Sequence, residues 1–362
     1  MQRLFSPVTI PAPEGPGLTL RNRAALSPMC MYSVTARDGV PTDWHLAHLG
    51  ARAAGGFGLV WTEATAVAPE GRISFQDTGL WNDAQADAWR RITDFAHERG
   101  AAAGVQLAHA GAKASTYPWL PEFAGAGPSG RGGSVPPAEG GWQSVSSSDG
   151  AAFDLAPAHP LTEDEIRASI EAWADAALRA DRAGFDEIQL HAAHGYLIHQ
   201  FLSPLANRRD DAWGGSFENR TRYALEVARA VRAVWPAHKP LAVRLSGTDW
   251  ADGGWTLDES RRLARLLWDA GVTAFDVSSG GIGSGVPQPL PGYQTPLAAG
   301  VREELAGLTL GGRPAFVTAV GLITAPQQAA HVVATGQADG VSIGRAALTD
   351  PHWALAAAAA LG

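Results

Sequence analysis

The 362-residue sequence predicts one α/β domain, residues 1–362, folded as a single (β/α)8 TIM barrel. Eight short apolar runs alternate with helical stretches from about residue 24 onward. Several helical stretches end in glycine, which is typical of helix C-termini. Eight parallel strands with crossover helices close a barrel, and the length of the chain suits one such domain.

The predicted strands are short and apolar, as strands buried on both faces should be. In chain order they are 24–29, 59–67, 103–107, 186–191, 241–245, 274–278, 315–320 and 340–343. A doubly wound open sheet is the alternative fold. It is disfavoured because no Gly-x-Gly-x-x-Gly motif follows the first strand.

Helical periodicity is clearest at 163–183 and 257–270. Thr162 and Glu165 have the spacing of a capping box, which predicts that the first of these helices begins there. One buried face is predicted for this helix, made of Ile166, Ile170, Trp173, Ala177 and Leu178.

A long segment interrupts the alternation after the third strand. Residues 111–160 are rich in glycine, proline and serine and show no periodic pattern. Loops this long are uncommon and are usually lids or binding loops. Because the active sites of such barrels lie at the C-terminal ends of the strands, we expect this loop insertion to lie over the active-site mouth. A surface insertion without a function is the alternative.

Composition excludes several classes of protein. With 28 basic and 36 acidic side chains the net charge is −8, which argues against a nucleic-acid partner. No apolar run approaches the roughly 18 residues of a transmembrane helix, and the first residues do not form the core of a signal peptide. We therefore expect a cytoplasmic protein without membrane contact. Cys30, the one cysteine, excludes disulfides, iron–sulfur clusters and cysteine-based zinc sites, and no metal is expected.

Candidate residues, most of them polar or glycine, lie within or just beyond the C-terminal part of each predicted strand, where barrel enzymes carry their chemistry. In chain order these candidates are Ser27, Pro28, Met29, Cys30, Tyr32, Glu63, Ala64, Gln106, His109, His191, His194, Tyr196, Arg244, Ser246, Ser278, Ser279, Gly321, Gly344 and Arg345.

Two groups within this set have a recognisable chemistry. His191 and His194 could bind a metal or pack structurally, but without a nearby carboxylate or thiolate a donor pair for a substrate oxygen is favoured. The loops carrying Gly321, Gly344 and Arg345 favour a phosphate-bearing ligand.

The set of candidates contains no strong nucleophile of its own. Lys113 and Lys239, the two lysines, fall outside the predicted strands, which argues against Schiff-base chemistry. An organic cofactor is therefore expected to supply the reaction.

These motifs resemble the Old Yellow Enzyme family. The resemblance rests on Ser27-Pro-Met-Cys30-x-Tyr32, Gln106-Leu-x-His109, Ile343-Gly-Arg345 and above all the run 191–220, and it extends from residue 5 to about residue 353. The pair Cys30 and Tyr32 is similar to the thermophilic-like branch. The resemblance implies an FMN-dependent barrel that reduces the C=C bond of α,β-unsaturated carbonyl compounds (enones, enals, maleimides) with NADPH or NADH.

Roles for individual residues follow from the resemblance only. It implies that Ser27, Pro28, Met29, Cys30 and Ala64 line the reactive edge of the flavin, Gln106 and Arg244 its pyrimidine side, and Gly321, Gly344 and Arg345 its phosphate. It further implies that His191 and His194 bind the substrate carbonyl oxygen, that Tyr32 lines the same pocket and that Tyr196 donates the proton.

Two expectations remain open at the level of the sequence. Relatives in this branch often end in a tail whose arginine reaches the neighbouring subunit, whereas residues 353–362 contain no arginine. Both a homodimer and a homotetramer are therefore kept as predictions. The alternative function is that of a non-catalytic barrel protein that binds a flavin or another phosphate ligand.

Overall fold

A computed structural model describes residues 3–126, 132–149, 153–283 and 288–362. Eight parallel strands close into a barrel in chain order, with the last strand paired to the first, which confirms the predicted fold. The strands are β1 Ala24–Leu26, β2 Leu59–Ala66, β3 Ala102–Ala108, β4 Glu187–Ala192, β5 Leu241–Ser246, β6 Ala274–Ser278, β7 Phe316–Ala319 and β8 Gly340–Ile343.

Helices connect successive barrel strands, and further short helices follow β4 and β8. They are α1 Asp43–Ala54, α2 Asp83–Glu98, α3 Glu163–Arg182, α4 Leu197–Leu202, α5 Phe217–Val234, α6 Leu257–Asp269, α7 Thr295–Glu304, α8 Pro326–Ala334, α9 Arg345–Thr349 and α10 Trp353–Leu361. The predicted capping box of Thr162 and Glu165 is present at the start of α3. None of the helices in the described ranges has both the length and the apolarity needed to cross a membrane.

Two local predictions were wrong. The first strand ends at Leu26 instead of residue 29, because Pro28 has no N–H with which to continue the ladder. Leu178 does not join the buried face of α3 and is 51% exposed. At 100° per residue it lies about 140° around the helix from Trp173, which is fully buried.

The segment between β3 and α3 contains only short elements. Three 3-10 turns, at Gly111–Lys113, Pro121–Phe123 and Pro137–Glu139, precede a parallel pair of two-residue strands, Val145–Ser146 and His159–Pro160. Residues 127–131 and 150–152 of the predicted insertion lie outside the described ranges.

A hairpin closes the N-terminal end of the barrel. Its strands, Val8–Ile10 and Leu18–Leu20, are antiparallel. The side chains of Ile10 and Leu20 pack against apolar residues that begin the barrel strands, including Trp61 and Phe316. This apolar layer separates the barrel interior from solvent at the end opposite to the expected active site.

Above that layer the barrel interior contains a buried acid. Glu187 is 1% exposed, and neither of its carboxyl oxygens has a hydrogen-bond partner among the described residues. It lines a small cavity of about 20 Å³ together with Gln189 and Asp276. Burial raises the pKa of Glu187 to about 8, and the charges of Asp186 and Asp276 act in the same direction. Glu187 is therefore a neutral acid at pH 7.

We expect Glu187→Gln to weaken the pH dependence of stability. The folded state keeps the proton of Glu187 up to about pH 8, whereas the unfolded chain releases it near the ordinary pKa of 4.5, so wild-type stability falls as pH rises through this interval. The amide stays neutral throughout. Between about pH 4.5 and pH 8 the variant should therefore gain on the order of 4 kcal/mol in free energy of unfolding relative to the wild type, measured by urea denaturation.

The matched control is Glu171→Gln, which removes an exposed carboxylate from α3. It should reproduce the wild-type pH profile. If Glu187→Gln also has the wild-type profile between about pH 5 and pH 8, Glu187 is not protonated in the folded state.

Candidate active site

The parallel register of the barrel brings the predicted site residues to one rim. Ala64 on β2 is paired with Gln106 on β3, and His191 on β4 is paired with Arg244 on β5. Where β8 pairs with β1 and closes the barrel, the backbone N–H of Ser27 donates to the carbonyl of Ile343 at 2.9 Å. All eight strands point the same way, so their C-terminal side chains converge at one end.

Buried polar pairs fix the side chains on the inner wall. The Nε2 of Gln106 donates to the Oε1 of Gln189 at 2.6 Å. The guanidinium of Arg244 lies between the carboxylate of Asp276, at 3.2 Å, and the hydroxyl of Ser27, at 3.4 Å. A cation held in this way is oriented before any ligand binds.

A cavity of about 210 Å³ lies beyond the ends of β6, β7 and β8. Its lining includes Ser278, Ser279, Gly321, Gly344 and Arg345. A side chain at Gly321 would approach the side chain of Gln294 to 2.7 Å, and the φ of +117° at this position also requires glycine.

The donors around this cavity fit the phosphate of the FMN that the sequence analysis expects. Gly344 precedes the first turn of α9 and lines the cavity with Arg345, and the N–H groups of a first helical turn have no partner within the helix. The guanidinium of Arg345 has no hydrogen-bond or ion-pair partner among the described residues. Backbone N–H groups combined with an arginine are a typical phosphate-binding set.

A second cavity, of about 420 Å³, lies at the mouth of the barrel. Tyr32, His194 and Tyr196 line it, together with residues of the 111–160 segment such as Trp119. The ring of His191 lies 4.9 Å from that of Tyr196 and 5.1 Å from that of His194, both nearly perpendicular. Since His194 lines both cavities, the two cavities meet at this residue.

The turn that carries these rings has an unusual backbone. His194 adopts a φ of +60°, which is uncommon for a residue with a side chain and costs free energy. Neighbouring groups hold the turn: the N–H of His194 donates to the hydroxyl of Ser246 at 3.0 Å, and the N–H of Gly195 donates to the Nδ1 of His199 at 2.9 Å. Strain that is supported from several sides is typical of functional sites.

Burial sets the protonation states of the three rings. It raises the pKa of Tyr196 well above its usual value, with a smaller effect from Cys30, so the phenol keeps its proton. Burial, followed by the charge of Arg244, lowers the pKa of His191 and of His194 well below the usual value. Both imidazoles are therefore neutral near pH 7, and each retains one N–H.

Cys30 is far from the two histidines in the sequence, but its side chain packs near Tyr196. Both contact one apolar cluster that contains Ala64 and Ile73. Burial, and then the charge of Asp77, raises the pKa of the Cys30 thiol well above its usual value. Cys30 is therefore a thiol and not a thiolate.

The sequence analysis did not identify the support behind Cys30. The buried carboxyl group of Glu63 is hydrogen-bonded to the Nε2 of His45 at 2.9 Å and accepts the backbone N–H of Met31 at 3.1 Å. It thereby anchors the chain between Cys30 and Tyr32. Glu63 lies within β2 and was a candidate, but no pattern in the sequence indicated that His45 on α1 is its partner.

The role of Lys113 was also missed, because its position outside the predicted strands was used only to argue against Schiff-base chemistry. Its Nζ is deeply buried and donates to the carbonyls of His194, at 2.7 Å, and of Gly281, at 2.6 Å. It lines the mouth cavity beside the ring of Tyr196. Burial lowers the pKa of Lys113 to about 8. The one feature of the sequence that could have indicated this role is the position of Lys113 four residues after His109.

Comparisons with known proteins find relatives along the whole chain. The sequence profile of the NADH:flavin oxidoreductase / NADH oxidase family matches residues 3–361. An NADPH dehydrogenase of Listeria innocua serovar 6a is 43% identical over 364 aligned positions, which cover 100% of this chain and 96% of the relative. An NADPH dehydrogenase of Geobacillus thermodenitrificans is 41% identical and covers 99% of this chain and 94% of its own length.

Solved structures show the same architecture. Morphinone reductase in complex with tetrahydroNAD superimposes with a TM-score of 0.77 at 25% identity, over 99% of this chain and 91% of its own. A 2-naphthoyl-CoA reductase has a TM-score of 0.84 at 24% identity and covers 99% of this chain but 52% of its own, a likeness that concerns the fold alone.

Proposed function

The chain belongs to the NADH:flavin oxidoreductase / NADH oxidase family, and we propose that it reduces the C=C bond of α,β-unsaturated carbonyl compounds. It is an FMN-dependent oxidoreductase with NAD(P)H as electron donor. The observation that carries the proposal is the pair of His194 and Tyr196 on the wall of the mouth cavity, with the ring of His191 packed directly behind both. Two neutral donors beside one protonated phenol suit a carbonyl oxygen with an alkene next to it.

FMN, when bound, supplies hydride transfer to a carbon atom. Arg244 and Gln106 suit its polar ring edge because both are fixed by buried partners. Gly344 and Arg345 suit its phosphate. Arg244 also places a positive charge where negative charge on a reduced ring would otherwise be costly.

His191 and His194 are proposed to hold the substrate oxygen. The Nδ1 of His191 accepts the N–H of Ala193 at 3.4 Å, which leaves its proton on Nε2. The Nε2 of His194 lies 2.8 Å from the hydroxyl of Ser278, which is closer than the 3.3 Å from that hydroxyl to the Oε1 of Gln294. When the hydroxyl turns its one hydrogen to Nε2, the proton of His194 is on Nδ1. Both rings then offer an N–H to a carbonyl oxygen, which polarises the conjugated alkene.

Tyr196 is proposed to give the proton that the second alkene carbon requires. Its raised pKa keeps the hydroxyl protonated at neutral pH. The ammonium of Lys113 lies 5.7 Å from the centre of the Tyr196 ring, where a positive charge favours the phenolate that remains after donation. The chain thus provides both a proton donor and a group that offsets the resulting charge.

The segment 111–160 is proposed to cover the site. Lys113, Thr116, Trp119 and Gly132 from this segment line the mouth cavity together with Tyr32. The side chain of Trp119 is 64% exposed and offers an aromatic surface to a substrate. Under this proposal residues 1–362 form one domain, and the insertion determines which substrates the domain accepts.

The proposed reaction can be tested through its two half-reactions. Anaerobic NADPH should bleach the yellow holoenzyme, and an enone such as 2-cyclohexenone should restore the colour. Tyr196→Phe should slow the step with the enone by roughly 10²–10⁴-fold, because general-acid catalysis contributes about that factor. Reduction by NADPH needs no such proton and should change little. Stopped-flow absorbance follows the two steps separately.

Tyr117→Phe is the control, since its hydroxyl bonds the exposed Glu139 and it lies outside the mouth cavity. Failure of every enone to reoxidise the wild type would favour the alternative of a non-catalytic flavin-binding barrel. Equal slowing of both steps in Tyr196→Phe would assign the proton to another donor.

Arg345→Ala should weaken FMN binding by about tenfold or more, because a hydrogen bond to a charged group is lost. Flavin fluorescence released on dilution of the holoenzyme measures the dissociation constant. Arg229→Ala, which removes an exposed arginine from α5, should behave as the wild type does. If Arg345→Ala retains FMN as tightly as the wild type does, the phosphate of FMN binds elsewhere.

Lys113→Met should weaken the binding of phenol, an enolate mimic, by about tenfold, because the turn of His194 loses its tie to Gly281 and the cavity loses its cation. Wild-type affinity should also fall as Lys113 loses its charge above about pH 8. The variant should lack this fall. The flavin absorbance change on titration with phenol measures both effects.

Lys239→Met is the matched control, since Lys239 also bonds a carboxylate and a carbonyl but lies away from the mouth. If Lys113→Met binds phenol with the wild-type affinity at every pH, Lys113 does not have this positioning role.

A further inference from the structure

A second charged cleft lies at the N-terminal end of the barrel strands. Its volume is about 360 Å³, and its charged lining consists of Arg3, Arg23, Arg302, Arg313 and Asp339. Four positive charges against one negative charge leave the cleft with a net charge of +3, whereas the whole chain carries −8.

The one carboxylate of the cleft is already fully used. The Oδ1 of Asp339 accepts the Nε of Arg302 at 3.0 Å, and its Oδ2 accepts the N–H of Val317 at 3.1 Å. Its backbone carbonyl accepts the Nη1 of Arg23 at 3.0 Å. Asp339 therefore orients two of the guanidinium groups without neutralising the group of four.

The remaining two arginines lack such partners. The guanidinium groups of Arg3 and Arg313 have no hydrogen-bond or ion-pair partner within the described ranges. Many other arginines of the chain pair with acids, as Arg182 does with Asp83 at 2.7 Å and Arg220 with Glu259 at 2.6 Å. The cleft thus holds four arginines and a single acid, and two of the arginines have no partner within the described ranges.

Neighbouring like charges in the cleft cost free energy. Burial lowers the pKa of Arg23, and the charge of Arg3 lowers it further. The wall of Val8, Pro314 and Phe316 is apolar and screens these charges less than water would. An anion in the cleft would relieve the repulsion and would gain oriented donors at the same time.

We propose that this cleft binds a phosphate group, either inorganic phosphate or the phosphate of a small ester. The guanidinium fork matches phosphate oxygens in pairs, and several forks around one cleft suit an anion with two charges. The volume lies at the low end of the range for ligand sites, which suits a small molecule.

The cleft is separate from the proposed FMN site. Phe316 begins β7 and Arg23 precedes β1, whereas Gly344 and Arg345 follow the other end of β8. An anion in this cleft therefore does not compete with FMN, and its binding does not depend on the reaction proposed above.

Calorimetric titration of the FMN-loaded protein with inorganic phosphate, and separately with glycerol phosphate, tests the proposal at constant ionic strength. FMN occupies its own phosphate site during the titration. Arg313→Ala and Arg313→Glu should weaken binding by about tenfold or more. Arg313 has no partner within the described ranges, so its removal should leave the fold intact, and the unchanged visible spectrum of the bound flavin verifies this.

Arg229→Ala is the matched control and should retain the wild-type affinity. Tighter binding of glycerol phosphate than of inorganic phosphate would identify an ester as the ligand, and the reverse order would identify the free ion. The proposal is overturned if the wild type takes up neither anion. It is equally overturned if both Arg313 variants bind as the wild type does, or if Arg229→Ala loses as much affinity as they do.

Discussion

The closure of eight parallel strands is the constraint on which the rest of this molecule depends. Parallel pairing sends every strand in one direction, so the C-terminal residues of all eight converge at one rim. Residues as distant in sequence as Ser27 and Arg244 become neighbours through this geometry. The opposite rim collects the residues that begin the strands, and the N-terminal hairpin covers it with an apolar layer.

Closure also buries polar groups, and their pairing determines the chemistry that the rim can perform. Arg244 is paired with Asp276 in the interior, and Gln106 is held by Gln189. Glu187, one layer lower, has no partner in the described structure and remains protonated instead. The interior therefore holds one oriented guanidinium near the rim and a neutral acid in the layer beneath it.

At the mouth, loops from different strands are tied to one another more tightly than their sequence suggests. Lys113 connects the turn after β4 to the loop after β6, and a side chain at Gly281 would meet the backbone of His194 at 2.1 Å. The hydrogen bond from Lys113 and the close approach of Gly281 stabilise the left-handed backbone of His194. The turn after β4 and the loop after β6 thus form one connected unit at the mouth of the barrel.

The sequence by itself determined the barrel, the family and the rim residues. The hydrophobic periodicity, the glycines at helix ends and the short motifs are local properties, which can be read from the sequence alone. Only the tertiary structure decided which distant groups meet. The partner of Glu63, the two carbonyls bound by Lys113, the exposure of Leu178 and the collection of arginines around Asp339 each depend on contacts between segments far apart in the chain. Such contacts arise from the closed register and the packing of helices around it, and no local pattern encodes them.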